Sequence, residues 1–339
     1  MNDNEVRTLH LPEPPSGKTG WPWTEDTPPL LPAMPDGSPW PKISVVTPSY
    51  NQGQFIEETI RSVLLQGYPN LEYIVMDGGS TDGSVKIIKK YEPWLSYWVS
   101  EPDRGQSHAI NKGINRAAGE ILFWLNSDDL CLPGAFFKAA ESFSQYPNQK
   151  LVIGQAQIIN QYGEVIGELR SQFTTWEELA TNPRNSIRQI STFFSRDLFE
   201  ELGFLDETLH IAMDTELLVR FTQFHEPLIL NDYLTAYRSH PEAKTFSQLL
   251  KGYEETDRVR SIYLNDKSLV SKYHRRSSSN WLSLSESENY SSYSRFKCLF
   301  HSIHSKPSIL LDRRFWSALK RIILNSFHDD GKQIIDCSS

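Results

Sequence analysis

The sequence predicts an α/β protein with a mainly parallel, doubly wound sheet, an extended arm before it and a helical extension after it. Three observations carry this. From Pro41 onward, β-branched apolar runs alternate with segments of helical periodicity; each apolar run stops at polar residues; and the chain before Pro41 is proline-rich and aperiodic.

Lys42–Thr47 (KISVVT) is a β-branched run halted by Pro48, which predicts the first strand. Phe55–Gln66 then sets Ile56, Ile60, Val63 and Leu64 on one helical face, with Gly67 as the stop. Leu71–Asp77 reads as the second strand, Ser84–Tyr91 as a helix, Leu95–Ser100 as the third strand, Ser107–Ala118 as a helix and Glu120–Leu125 as the fourth strand. Past Leu151 the pattern turns mixed. A hairpin is expected through Gln161-Tyr162-Gly163, a strand near Gln189–Phe194, a helix from Asp214 to about Phe224 and a strand at Tyr233–Tyr237.

Leu11 to Pro41 carries Trp21, Trp23 and Trp40 among its prolines, so an arm laid on the domain is expected rather than a solvated tail exposing three large rings. Its SGKTG segment lacks the upstream glycine of a phosphate loop, with Pro12 in that place. Residues Ser277–Ser294, rich in Ser, Glu and Tyr, read as a linker or irregular loop. Arg313–Phe327 then forms a basic amphipathic helix, with Phe315, Leu319, Ile322 and Ile323 on one face and Arg314 and Arg321 opposite. Packing on the domain and docking on an anionic membrane surface are its two readings.

Composition excludes several classes. With 34 Lys+Arg against 42 Asp+Glu and a formal charge of -8, no basic field is available for a nucleic-acid backbone. Cys131, Cys298 and Cys337 are too few and too scattered for a disulfide framework or a structural zinc site, and a reducing compartment fits. The start MNDNEVRTLH lacks the pattern of a secretory signal, and no apolar run approaches the ~20 residues of a membrane span. A cytoplasmic protein, soluble or peripheral on the inner membrane face, is expected.

In an open parallel sheet, ligands bind beyond the carboxyl ends of the strands. Here those ends run into Ser49-Tyr50-Asn51, Asp77, Asp103 and Asn126-Ser127-Asp128-Asp129, an acidic, hydroxyl-rich rim. Two adjacent carboxylates at a partly buried sheet edge need a compensating cation or donor, and Mg²⁺ or Mn²⁺ takes one or two carboxylates plus phosphate oxygens. A helix N-cap ahead of Leu132-Pro133-Gly134 is the competing use of that pair.

Pro-Ser-Tyr-Asn after the first strand, Met-Asp-Gly-Gly-Ser-Thr-Asp-Gly after the second and Asn-Ser-Asp-Asp after the fourth, in this order, resemble the family 2 glycosyltransferases of the GT-A fold from about Pro41 to His240. The resemblance implies an inverting transfer of a sugar from a nucleotide-diphosphate sugar to a glycan or lipid-linked saccharide. It implies that Pro48, Ser49 and Tyr50 lie along the nucleoside, that Asp77 faces the nucleotide, that Asp128 lies near the ribose and that Asp129 holds Mg²⁺ or Mn²⁺. Asp214 matches the general base, with Asp206 and Glu216 as competitors for that role. Asp103, in the loop before Ala109-Ile110-Asn111-Lys112-Gly113, either touches the nucleotide or caps the following helix. Arg238, His240, Lys244 and Thr245 form a loop that either closes over the diphosphate or is simply solvated. Where many members carry a second acid after the first and an acid at the start of the metal motif, this chain has Gly78 and Asn126.

At the start of a helix, Asp214 is expected to have its ionised form favoured by the helix dipole. The implied organisation is an arm at 1–41, a GT-A domain at 42–245 with a nucleotide-binding half (42–150) and an acceptor half (151–245), and a helical extension at 246–339. UDP-sugars are the favoured donors and GDP-sugars the second choice. A nucleotide-sugar-binding protein without transfer activity and a sugar-phosphate nucleotidyltransferase are the alternatives.

Overall fold

The first β-branched run forms β1 (Ile43–Ser49), buried along its whole length as expected of a strand covered on both faces. The computed structural model describes residues 11–27, 31–182, 187–244, 248–264, 266–286 and 292–326. After β1 come α1 (Ile56–Leu64), β2 (Leu71–Asp77), α2 (Ser84–Tyr91), β3 (Tyr97–Ser100), α3 (Gln106–Arg116) and β4 (Ile121–Trp124), in the order read from the sequence. Strands β3, β2, β1 and β4 lie side by side and all pair parallel.

Residue parity divides the two faces of this sheet. Ile43, Val45, Tyr73, Val75, Ile121 and Phe123 pack with Ile56, Ile60 and Val63 of α1 and Ile88 and Tyr91 of α2 in one core. Val46 and Met76 point the other way, where α3 covers them. A Cβ at Gly113 would lie 2.3 Å from Val46 Cγ1, so only glycine lets α3 come this close.

The chain continues through β5 (Leu130–Cys131), α4 (Ala135–Gln145), β6 (Leu151–Ile159), β7 (Val165–Leu169), α5 (Trp176–Thr181), β8 (Thr192–Ser195), α6 (Asp197–Leu202), α7 (Met213–Thr222) and β9 (Leu228–Arg238). The expected hairpin is the antiparallel pair β6 and β7. The nine-stranded sheet runs β3-β2-β1-β4-β8-β6-β9-β5, with β7 beside β6, and its second half mixes parallel and antiparallel pairs.

Contacts divide the chain into two compact units, Met1–Phe173 with Ile187–Ser247, and Thr174–Ser186 with Gln248–Ser339. In the first unit the proline-rich arm lies on the domain: Trp23, Met34 and Trp40 are buried, and Trp40 meets Tyr68 edge-on at 5.5 Å. In the second unit α5 joins α8 (Leu249–Tyr263), α9 (Lys267–Ser285), α10 (Ser292–Ser305) and α11 (Arg313–Ser326). Lys272 and Arg276 of α9 each bind Glu178 of α5 at 2.7 Å.

The reading of Ser277–Ser294 as a linker or irregular loop is wrong for most of its length, since α9 runs to Ser285 and α10 starts at Ser292. Residues 287–291 lie outside the described residues. Serine here is a small helix-contact residue: Ser277, Ser278 and Ser285 are buried, and Ser278 Oγ donates to the Ser302 carbonyl at 2.9 Å. Composition registered the polarity of these residues and missed their size. In α11, Phe315, Ala318 and Ile322 pack on Leu282, Leu299 and Ile309 of the same unit. Phe327, the last residue of the helix read from the sequence, lies outside the described residues. Cys131 and Cys298 are buried free thiols.

Candidate active site

Parallel register brings the strand ends level, pairing Ser49 of β1 with Asp77 of β2 and Asp77 with Ser100 of β3. Beyond them Asn51 adopts a left-handed conformation (φ 51°), one that Asn tolerates better than most residues, and leaves the Tyr50 ring exposed. Asn51 closes the rim by donating its N–H to Ser80 Oγ (2.8 Å) and accepting the Thr81 N–H on Oδ1 (2.9 Å). These ends open into a cavity of about 660 Å³ whose wall includes Pro48, Ser49, Tyr50, Asp103, Asp128, Asp129 and Asp214. Ser49 Oγ is buried without a hydrogen-bond partner among the described residues.

Asp77 is the predicted site residue that this wall does not include. It is buried beneath the rim, and its carboxylate accepts the N–H groups of Gly79 (3.1 Å) and Ser80 (2.9 Å) and the hydroxyls of Ser80 and Ser100 (2.6 Å each). It therefore shapes the turn that borders the cavity. Asp103 Oδ1 accepts the Gly105 N–H at 2.7 Å, but the residue capping α3 is Gly105 itself. A Cβ at position 78 would lie 2.6 Å from Asp103 Oδ2 and 3.3 Å from Tyr50 Cδ2. The Asp103 carboxylate thus occupies the space that glycine leaves open.

Asp128 and Asp129 do not cap a helix, because α4 starts at Ala135 with Gly134 before it. Asp129 is buried; its Oδ1 accepts the Arg238 N–H at 2.9 Å and its Oδ2 faces Asn126 Nδ2 at 3.2 Å. Burial first, and the Asp128 charge second, hold the Asp129 carboxyl well above the usual carboxylate range. Asp128 Oδ2 lies 3.1 Å from His240 Nε2. The Arg238 guanidinium behind the turn is already committed to Glu58, and the two carboxylates are hard oxygen donors of the kind that fit a divalent cation. Among the described residues no three His, Cys, Asp or Glu side chains converge as ligands, so a cation held here would need phosphate or water oxygens besides these carboxylates.

Asp214 lies in the first turn of α7, where the helix dipole was expected to favour its charge. Burial outweighs that effect and raises its pKa, against the Thr215 N–H and the nearby Arg188 cation, which lower it. The competing acids do not line the cavity: Glu216 pairs with Arg220 at 2.8 Å, and exposed Asp206 accepts the Thr208 N–H at 2.8 Å.

The loop read after Tyr233–Tyr237 divides into different fates. Arg238 is the last residue of β9 and is almost wholly buried, so it is not a solvated cation closing on a diphosphate. The strand continues one residue further than its pattern suggested, and the guanidinium turns inward to protein acceptors. Lys244 does border the cavity, donating to Gln106 Oε1 at 3.1 Å, while Gln106 Nε2 donates to Asn126 Oδ1 at 2.8 Å. Thr245 lies outside the described residues. Gln106, which closes the Asp103-Arg104-Gly105-Gln106 loop, and Gln189 both line the cavity, though the sequence assigned neither a role; Gln189 Nε2 donates to the Trp124 carbonyl at 2.9 Å. A lone glutamine carries no chemical signature, so only the fold reveals their place in the wall.

The glycosyl transferase family 2 profile matches residues 44–212, the stretch that supplies most of this cavity. An uncharacterized glycosyltransferase of Mycobacterium tuberculosis is 32% identical over 201 residues, covering 58% of this chain and 75% of that protein. The poly-β-1,6-N-acetyl-D-glucosamine synthase of Staphylococcus epidermidis is 27% identical over 178 residues, covering 48% of this chain and 42% of the synthase. Among solved structures, S. aureus TarS 1-349 in complex with UDP-GlcNAc matches with a TM-score of 0.60 at 16% identity, over 86% of this chain and 93% of TarS 1-349. At that identity the structural likeness speaks for the fold, while the profile and the mycobacterial relative speak for ancestry. The chain belongs to glycosyltransferase family 2 and carries the GT-A fold of that family.

Proposed function

We propose that this glycosyltransferase performs an inverting, metal-dependent transfer of a hexose from a nucleotide-diphosphate sugar, UDP-sugars first, to a hydroxyl of a growing glycan or lipid-linked saccharide. The carrying observation is that one cavity combines the Asp128-Asp129 pair with the separate, half-buried carboxylate Asp214. In this reading Asp214 takes the proton of the acceptor hydroxyl as the new bond to the anomeric carbon forms. Asp129, with Asp128, would hold Mg²⁺ or Mn²⁺, and His240 orients Asp128. When bound, such a cation supplies positive charge against the departing diphosphate. Tyr50 and Pro48 offer an exposed ring and an apolar edge to the nucleoside, with buried Ser49 between them in the wall, and Asp77 fixes the turn beside it. The relatives point to a polysaccharide product, which is our reading for the acceptor.

Asp103 carries the base choice in this proposal. Its Oδ2, filling the space beside Gly78 and Tyr50, is an acceptor suited to an imide N–H. Uracil and guanine present such a donor, whereas cytosine and adenine present a lone pair at the corresponding edge. A panel of nucleotide sugars with Mn²⁺ is therefore expected to raise the melting temperature most with UDP-sugars and second with GDP-sugars. The same panel on Asp103→Asn should show UDP affinity reduced about tenfold, the scale of one charge-assisted hydrogen bond, and less discrimination against CDP. No stabilisation by any nucleotide would sink the donor reading, whereas binding without transfer would leave a nucleotide-sugar-binding protein.

Among the described residues no helix is long and apolar enough to cross a membrane. We propose peripheral attachment to the cytoplasmic membrane face through α11. Phe315 is committed to the helical unit, so Trp316 and the preceding Leu311, both exposed, take its place beside exposed Arg313, Lys320 and Arg321. The intact chain should float with phosphatidylglycerol vesicles at low salt and lose attachment as salt rises. Equal flotation by a Leu311→Ser/Trp316→Ser variant, or none by either protein, would reduce α11 to a packing element.

A further inference from the structure

We infer that Trp23, Glu58 and Arg238 form a positioning relay through which the N-terminal arm keeps the Asp128-Asp129 turn open to a cation. The inference rests on the site reading above and adds residues that no motif marks.

Arg238 is sealed from solvent, and its donors go to both sides of the turn. Its Nε donates to the Asp128 carbonyl at 2.8 Å, its Nη1 to the Asn160 and Gln161 carbonyls at 3.3 and 3.4 Å, and its own N–H to Asp129 Oδ1 at 2.9 Å. Its Nη2 is held by Glu58 Oε2 of α1 at 2.7 Å, an ion pair with almost no solvent access. The other oxygen of that carboxylate, Oε1, accepts the indole N–H of Trp23 at 3.1 Å. Phe55 adds to the enclosure, its ring centroid 4.8 Å from the guanidinium and 4.8 Å from the His240 ring.

Anchoring the arm does not require this chain of contacts. Arg61 already does so, donating to the carbonyls of Pro12 (2.7 Å), Pro22 (2.9 Å) and Trp23 (2.9 Å). A buried ion pair is also a poor way to gain stability compared with apolar packing. What Glu58 does is fix the direction of a buried cation that lies next to two carboxylates. Without its charge, the guanidinium has Asp128 and Asp129 as its nearest anionic alternatives, and it would compete there with a divalent ion. The Trp23 N–H holds Glu58 in the orientation that prevents this. Trp21 of the arm adds a direct tie two residues beyond Asp129, its Nε1 donating to the Cys131 carbonyl at 2.9 Å.

The test is calorimetric binding of UDP to the full chain across a Mn²⁺ titration, with melting temperature measured alongside. Glu58→Gln should raise the Mn²⁺ concentration needed for half-maximal UDP binding about tenfold, as outer-sphere changes at metal sites do, with UDP affinity recovering at saturating Mn²⁺. Trp23→Phe, which keeps the ring and the Arg61 contacts, should shift it several-fold in the same direction. The double variant should match Glu58→Gln alone, because both changes act through one link. If Glu58→Gln fails to fold, Trp23→Phe reads the same quantity. A lower melting temperature with an unchanged Mn²⁺ requirement, or effects that simply add, would overturn the relay. Wild-type protein that does not bind UDP with Mn²⁺ would overturn the site reading and the relay together.

Discussion

Asp214→Asn is expected to lower kcat by about three orders of magnitude while leaving Mn²⁺-dependent UDP affinity within about twofold of wild type. The amide is isosteric and keeps an oxygen for the Thr215 N–H, so the start of α7 is preserved. What disappears is the only cavity acid we assign to proton transfer, and donor binding does not use it. The pH profile gives a second readout. Because burial raises the Asp214 pKa, the acid limb of kcat/KM should fall at a pH above the ordinary aspartate range. Activity is lost as pH drops through that value, since the base is then protonated, and the residual activity of Asp214→Asn should lack the limb. Wild-type turnover in this variant would refute the assignment, and Glu242, which also lines the cavity, would then be the acid to test.

Asp129→Asn should abolish measurable transfer and remove the extra UDP affinity that Mn²⁺ confers, since it deletes the innermost charge of the proposed cation site. Its effect on stability should run in the other direction. A carboxyl whose pKa is raised in the fold contributes stability at low pH that is lost as pH rises through the folded value. Burial and Asp128 both raise that of Asp129, so at neutral pH without metal the native state bears the cost of its charge. The variant, neutral at every pH, should melt at the same temperature as wild type or higher in metal-free buffer, and gain nothing on adding Mn²⁺ and UDP. Retained transfer would disprove the metal assignment, and a large loss of metal-free stability would disprove the electrostatic account.

Asp128 and Asp129 were legible as a pair because they follow an apolar strand, and Tyr50 because it follows the first strand end. Asp103 was visible only as an acid in a loop, with two uses open; its contact with the Gly78 position comes from Glu101-Pro102-Asp103 crossing the end of β2, which no local pattern encodes. Glu58 offered no signal at all. It occupies a helix position between Ile56 and Ile60 like any charged residue on a helix surface, yet it is buried because the arm and the end of β9 both close over it.

By itself the sequence determined what depends on neighbours in the chain: the order of strands and helices as far as β4, the resting place of polar residues at strand ends, and the family those motifs mark. The tertiary structure alone decided which acids meet in one cavity, which are spent on holding a turn, as Asp77 is, and which cation is sealed behind the site, as Arg238 is. The physical reason is that burial, more than residue type, sets the charge state and partners of these groups, and burial is decided by segments as far apart as Trp23, Glu58 and Arg238.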